Sequence, residues 1–132
     1  MTTGRQYRNP VLTGFFPDPS IIRVGEDYYM ANSTFEYFPG VVISHSRDLV
    51  HWEIIGHAFT KNEDLDLTGI EDSHGLWAPD ISYYQGTYYI FVTLRLNDMC
   101  GPDRRKIVHR QVIANASRPE GPDLVLHLAE RA

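Results

Sequence analysis

The sequence predicts an all-β chain built from blades of a β-propeller, and two observations carry this prediction. The first is that the aromatic residues, eight Tyr, six Phe and two Trp, stand in short alternating runs separated by Gly and Asp. Such runs are typical of strands and hairpins. The second is an internal repeat with a spacing of 60 residues. Before residue 120, no stretch has the periodicity of an amphipathic helix.

The alternating runs predict seven strands, with one more expected near the end. Turn residues separate them: Gly25-Glu26 and Gln85-Gly86 are turn-like pairs, and Ser46-Arg47-Asp48 marks a further turn before "LVHWEII". The expected strands lie at residues 19–24, 27–33, 41–46, 51–58, 80–84, 87–94 and 106–114.

The internal repeat decides the architecture. The segment "PSIIRVGEDYYMANST", from Pro19, aligns without a gap with "PDISYYQGTYYIFVTL", from Pro79. Each copy gives a strand, a short turn and a second strand with a tyrosine pair. The segments that follow the two copies resemble each other more loosely. Repeated units of four strands are typical of propeller blades. Blades are expected at 15–60 and 76–118, with a divergent tail at 119–132. The alternative is that two hairpins of a tyrosine-rich chain share a Tyr pair by chance.

A closed propeller typically has about four to eight blades, and a chain of 132 residues has room for two. The chain is therefore expected to be a single-domain fragment of a propeller or to assemble with something else. Two blades leave outer faces uncovered, and apolar faces of that size usually find a partner. Either a homo-oligomer formed through the exposed blade faces or poor solubility is therefore expected.

Composition and charge exclude several function classes. The net charge is −5, and Lys and Arg are scattered apart from a run at 104–106, which argues against nucleic acid as a partner. There is no run of eighteen apolar residues and no charged-then-apolar start. Neither a membrane span nor a signal peptide is therefore expected. The single cysteine, Cys100, cannot form an internal disulfide, and the default compartment is the cytoplasm.

One acid stands between two prolines. Asp18 follows Pro17 and precedes Pro19, and a proline disfavours helical backbone in the residue before it and favours an extended one. The acid is therefore expected to be held in one direction. Two interpretations stay open from local chemistry alone: a carboxylate fixed for a chemical role, or an ordinary turn that enters a strand.

Longer segments resemble a known family. The stretch "NPVLTGFFPDPSIIRVGEDYYMANSTFEYFPGVVISHSRDLVHWEIIGHAF" is similar to the start of the β-xylosidases of glycoside hydrolase family 43, and so is "GLWAPDISYYQGTYYIFVT". The resemblance covers about residues 9–118. It implies a five-bladed propeller that hydrolyses xylosidic or arabinosidic bonds of xylo-oligosaccharides with inversion, at a site on the central axis. The choice between xylosidase and arabinofuranosidase stays open.

The resemblance also implies roles for individual residues. Asp18 matches the general base, and Phe35 and Trp77 match positions whose rings wall the sugar subsite. The alternative for both rings is ordinary propeller core. Asp80, which follows Trp-Ala-Pro, is interpreted either as structural or as a residue that supports the site from behind the groups that contact the sugar.

No cofactor is implied, and no metal site is expected. Three histidines stand six residues apart, at His45, His51 and His57, but the turn segment "SRDLV" interrupts any strand that would align them. No acid or cysteine completes a tetrahedral zinc site with them.

The departures from the family are as informative as the matches. The family's later Asp-(Pro/Ala)-Ser-Leu-Phe box and its glutamate general acid are not found, and from about Pro122 the chain reads "DLVLHLAERA", which fits a short helix about as well as a strand. A natural truncation, an engineered one and a shifted reading frame all fit this pattern. Two function classes stay open: a glycosidase part that supplies the base and is inactive alone, or a non-catalytic sugar-binding or structural two-blade fragment.

Overall fold

A computed structural model describes residue 4 and residues 6–97, 107–119 and 124–127. Cys100, the basic run at 104–106 and the ends of the tail lie outside the described residues. The described part contains eight strands, named here β1 (Ser20–Val24), β2 (Asp27–Asn32), β3 (Gly40–Ser46), β4 (Glu53–Phe59), β5 (Gly75–Tyr84), β6 (Thr87–Asn97), β7 (Ile107–Ala116) and β8 (Leu124–His127). In these ranges no helix has the length and apolar character needed to cross a membrane.

The strands form two four-stranded antiparallel sheets. The first has the order β1-β2-β3-β4 and the second the order β5-β6-β7-β8, so each strand pairs with its neighbour in sequence. Two consecutive four-stranded meanders are the expected arrangement of two propeller blades. The prediction of an all-β fold is confirmed.

The internal repeat is visible in the strand register. In the first sheet Ile21 pairs with Met30, and in the second Ile81 pairs with Ile90, a displacement of 60 residues in both strands. The turns Gly25-Glu26 and Gln85-Gly86 close the two hairpins at the same displacement. Since the same sequence offset gives the same pairing, the match between the two segments is structural and not a chance shared Tyr pair.

Two features differ from the strand predictions. Strand β5 begins at Gly75 instead of residue 80, and a register shift between Trp77 and Asp80 lets it pass Pro79. A proline cannot donate to a ladder and is tolerated at such bulges. The second sheet takes its fourth strand, β8, from 124–127, inside the segment for which helix and strand had fitted equally well.

The core lies between the two sheets. Buried side chains from both sheets form one cluster, which includes Ala31, Val41, Ile43, Ile81, Ile90, Val92 and Val112. At one edge Tyr29 meets Tyr88 edge-on, with ring centroids 5.3 Å apart. The faces that carry Ile, Val and Tyr therefore pack against each other.

The turn between β3 and β4 is organised by one carboxylate. Asp48 Oδ1 accepts hydrogen bonds from the backbone N–H groups of His51 at 2.7 Å and Val50 at 2.9 Å. Its Oδ2 lies 2.6 Å from His51 Nδ1, and Ser46 donates to Oδ1 at 3.1 Å. Chiefly because of the bond from the His51 backbone N–H, the pKa of Asp48 lies well below its usual value.

Replacing Asp48 with asparagine is expected to lower the melting temperature at pH 7 more than at pH 3. A lowered pKa in the folded chain means that Asp48 contributes stability above its unfolded pKa of about 3.9, and that this contribution is lost as pH falls. Thermal denaturation of the parent and of Asp48→Asn at both pH values measures the gap between their melting temperatures. An equal gap at the two pH values would contradict the account.

Candidate active site

Asp18 lies two residues before the start of β1, and it is exposed. Its φ is +50°, in the left-handed region, and not in the extended region that Pro19 was expected to impose. Such a conformation is costly for a residue other than glycine and persists only where the surroundings impose it. The flanking prolines therefore do not by themselves explain how the acid is held.

The end of β2 holds the acid in place. Asn32 Nδ2 donates to the carbonyl oxygens of Phe16 at 2.9 Å and Pro17 at 3.1 Å, and the N–H of Ser33 donates to the Pro17 carbonyl at 3.1 Å. Ser33 Oγ donates to Asp18 Oδ2 at 2.7 Å. Asn32 and Ser33 are both fully buried. Four hydrogen bonds from two buried residues thus hold this segment: one reaches the acid itself, and three reach the two residues before it.

A two-bond bridge joins the two sheets beside this segment. The N–H of Phe35 donates to the Leu76 carbonyl at 3.1 Å, and the N–H of Leu76 donates to the Phe35 carbonyl at 3.0 Å. Phe35 also has a left-handed φ of +50°. Phe35 is half-buried, and the centroid of its ring lies 5.6 Å from the centroid of the ring of Phe15, which is exposed. Phe35 therefore borders the surface at the junction of the sheets.

The Trp77 indole is held from two sides. Its Nε1 donates to the Ser73 carbonyl at 2.8 Å, and the guanidinium carbon of Arg95 lies 4.4 Å from the centroid of the ring. Glu36 accepts a hydrogen bond from the Ser73 N–H at 3.0 Å and so ties this loop to the first sheet. Like Phe35, Trp77 is half-buried. Neither ring is a fully buried core side chain.

Backbone contacts bring the three predicted site residues to one junction. Ser33, which binds Asp18, accepts a hydrogen bond from the N–H of Ala78 at 2.7 Å, and Ala78 follows Trp77 in the chain. Phe35 is paired with the residue before Trp77. An exposed carboxylate beside aromatic rings suits a pyranose, whose flat C–H faces bind rings while polar groups fix its hydroxyls.

Asp80 makes a different contact. Its Oδ1 accepts a hydrogen bond from Ser20 Oγ at 3.1 Å, and the same hydroxyl oxygen accepts the N–H of Ile81 at 3.2 Å. These bonds tie β1 to β5. The geometry fits the structural role given to Asp80.

The described residues contain no group of three or more His, Cys, Asp or Glu side chains able to hold a metal ion. His45 Nε2 lies 2.7 Å from Asp27 Oδ1, and His51 pairs with Asp48. The pKa of His57 is lowered by burial. Each of the three histidines thus has a separate environment.

Sequence reasoning missed several residues that shape this junction. Asn32 and Ser33 lie within a stretch that the family resemblance covers, yet no role was given to either, and Arg95 was not singled out. The signal in the sequence was a polar pair at the end of the second predicted strand, fourteen and fifteen residues after the proline-flanked acid. It becomes meaningful only when the first hairpin places the two segments side by side.

Comparison with known proteins gives a consistent result. The sequence model described as Glycosyl hydrolases family 43 matches residues 7–123. A xylan 1,3-beta-xylosidase from a Vibrio species is 52% identical over 90 residues, covering 68% of this chain and 16% of the relative. The non-reducing end alpha-L-arabinofuranosidase BoGH43B of Bacteroides ovatus is 51% identical over 90 residues, covering 67% and 17%.

Solved structures give the same result for the fold. The xylan beta-1,4-xylosidase from Bacillus halodurans superposes with a TM-score of 0.82 and 43% identity, covering 95% of this chain and 23% of that one. Structural relatives of this kind are five-bladed β-propellers. The chain spans less than a quarter of the length of each of these three proteins.

Proposed function

Because the chain belongs to glycosyl hydrolases family 43, we propose that it supplies the general base and part of the sugar-binding wall of an inverting glycosidase. The proposed substrates are xylo-oligosaccharides, cleaved at terminal β-xylosyl bonds, with arabinofuranosides as the second class. Relatives described as a xylosidase and as an arabinofuranosidase match this chain at nearly equal identity, 52% and 51%, so identity does not separate the two substrates.

One observation carries the proposal: the carboxylate of Asp18 is exposed, oriented by Ser33 and adjacent to the junction that presents Phe35 and Trp77. Within the described residues Asp18 Oδ1 accepts no hydrogen bond, since the bond from Ser33 goes to Oδ2. One oxygen is therefore bound by the protein, and the other has no donor among the described residues. That is the arrangement a base needs in order to accept a proton from a water molecule.

An inverting glycosidase uses two carboxyl groups with separate roles. One deprotonates a water on one face of the sugar, and the other protonates the leaving oxygen on the opposite face, with about 6.5–9.5 Å between them. Asp18 is proposed for the first role. No segment of this sequence matches the acid motif implied by the family resemblance. We therefore propose that this chain does not turn over substrate by itself.

The test compares the chain with a completed propeller, in which residues 9–97 of this chain, from the start of the matched segment to the end of β6, replace the corresponding part of the Bacillus halodurans xylosidase. That enzyme then supplies the last two strands of the second blade and all of the remaining blades. With an aryl β-xyloside, we expect no measurable turnover by the chain alone and turnover by the completed propeller. An aryl α-L-arabinofuranoside in parallel measures the preference between substrates. The unfused Bacillus enzyme is the positive control.

Two results would contradict the proposal. A completed propeller that folds but does not cleave either substrate would remove the support for a catalytic contribution. Turnover by the chain alone that disappears in Asp18→Asn would show that self-association supplies the missing acid.

We further propose that the chain self-associates through its outer sheet faces. Across the first sheet, Ile21, Met30, Ser44 and Ile54 form one row by strand pairing, and Ile21 and Ile54 are 48% and 52% exposed. Beside this row lies a cleft of about 450 Å³ lined by Val11, Leu12, Phe16, Met30 and Trp52, among others. On the second sheet, Phe91 is 42% exposed between two core residues. Such apolar surface favours association.

Replacing both Ile21 and Ile54 with lysine is expected to shift the chain from larger species towards monomer in sedimentation velocity. Each lysine buried at an association face is expected to weaken the free energy of association by about 2 kcal/mol or more. Glu26→Lys, which places a lysine at the exposed β1–β2 turn, is the control and should leave the distribution unchanged. A parent chain that is monomeric at every concentration would argue against self-association.

A further inference from the structure

We infer that Ser33 is a positioning residue that sets the direction of the Asp18 carboxylate and makes that direction depend on the second sheet. The inference deepens the proposed function and rests on it, since Asp18 is proposed as the base. Ser33 itself touches neither substrate nor reacting atoms in this account.

The hydroxyl of Ser33 has one proton and accepts through its oxygen. The N–H of Ala78 donates to Oγ at 2.7 Å, so Oγ is an acceptor there. Its own proton is then directed to Asp18 Oδ2, also at 2.7 Å. Ser33 is 0% exposed, so no solvent molecule competes for its hydroxyl group. The three groups form a directed chain, from the amide through the hydroxyl to the carboxylate, and such chains strengthen each bond in them.

The backbone at Ala78 makes its amide available. The register shift between Trp77 and Asp80 takes Ala78 and Pro79 out of regular pairing with β6, so the Ala78 N–H is free to reach the first sheet. Ala78 has a φ of +45°, a left-handed value that is costly for alanine. Strain of this kind persists where the surroundings impose it and is concentrated at functional sites.

The bulge between Trp77 and Asp80 therefore contributes to the candidate site in two ways. It follows Trp77, whose ring is proposed to bind the sugar, and it donates the amide that orients Ser33 and, through it, the base. Asp18, Ser33 and Ala78 come from the segment before β1, the end of β2 and the bulge of β5. A displacement of the second sheet against the first would change the direction of Asp18 Oδ2 without any change in Asp18 itself.

The test uses nuclear magnetic resonance of the complete chain, with the Asp18 carboxyl carbon and the Ala78 amide as probes. In Ser33→Ala we expect both resonances to move and the Ala78 amide to exchange with solvent about tenfold faster, the loss expected for one hydrogen bond. Ser44→Ala is the matched control. Ser44 is equally buried, and its hydroxyl has no partner within the described residues, so neither probe should move.

A second variant tests the inference even if Ser33→Ala does not fold. Asp18→Ala changes only an exposed side chain, and the Ala78 amide resonance should still move, because the effect passes through Ser33. A purely structural serine would not transmit this change. The inference would be overturned if the Asp18 carboxyl carbon resonance did not move in folded Ser33→Ala. It would also be overturned if the Ala78 amide resonance did not move in Asp18→Ala. Equal movement in Ser44→Ala would also overturn it.

These resonances can be measured without turnover, so they test the role of Ser33 independently of the role of Asp18 as the base. If Asp18 is not the base, Asp18→Asn in the completed propeller keeps its activity while the resonance results stand. If Ser33 does not position Asp18, the resonance results fail while the activity result stands.

Discussion

Replacing Asp18 with asparagine in the completed propeller is expected to lower kcat by about 10²- to 10⁴-fold, the usual contribution of one general base. Asparagine keeps the size of the side chain and can still accept the hydrogen bond from Ser33, but it cannot take a proton from water. Because Phe35 and Trp77, the proposed sugar-binding rings, are unchanged, KM should change far less than kcat. Initial rates on an aryl β-xyloside measure both constants.

Asp80→Asn is the matched control for this result. It makes the same chemical change at an exposed aspartate near the junction, one that binds Ser20 and not Ser33. We expect kcat within about threefold of the parent, because asparagine can still accept the hydrogen bond from Ser20. The lost charge should cost at most about 1 kcal/mol of local stability, and no proposed proton transfer is affected. Equal losses in the two variants would mean that Asp18 acts through structure alone.

Replacing Gly75 with alanine is expected to lower the free energy of unfolding by about 3 kcal/mol or more. Gly75 has a φ of +93°, which is strained for any residue with a Cβ. A Cβ at this position would also overlap the backbone carbonyl of Phe35. That carbonyl accepts one of the two hydrogen bonds of the inter-sheet bridge, so relief of the overlap breaks the bridge as well. Urea denaturation measures the loss.

Gly86→Ala separates the clash from the backbone strain. Gly86 has a similar φ of +84°, yet an added Cβ would meet no atom within 4 Å. Its alanine variant should therefore lose only about 1–2 kcal/mol. If the two variants lose the same amount, the close approach of Gly75 to Phe35 does not stabilise the junction.

Much of the fold was readable from the sequence because its evidence is local and repeated. The tyrosine pairs and turn pairs recur at one offset, and the pairing of Ile21 with Met30 and Ile81 with Ile90 repeats at the same offset. Period-two patterns give strands directly, since each strand shows one face to the core. The strand that contains Pro79 was placed too short, because a bulge that bypasses a proline has no local pattern.

The candidate site was only partly readable. The family resemblance selected Asp18, Phe35 and Trp77, and their roles remain predictions. The hydrogen bonds that hold Asp18 are non-local: Ser33 is fifteen residues from Asp18 and forty-five from Ala78. The left-handed backbone of Asp18 was the reverse of what Pro19 predicts, because tertiary hydrogen bonds outweighed a local preference. A sequence pattern shows preferences of neighbours but not which distant groups meet.

The central claim is that Asp18 activates water in an inverting reaction, and the stereochemistry of the first product tests it most directly. Proton magnetic resonance, recorded while the completed propeller hydrolyses an aryl β-xyloside, distinguishes the two anomers of xylose before they equilibrate. The account predicts that α-xylose forms first, because water activated by a base attacks the face opposite the leaving group. The appearance of β-xylose first would contradict it, since retention requires a nucleophile in place of a base.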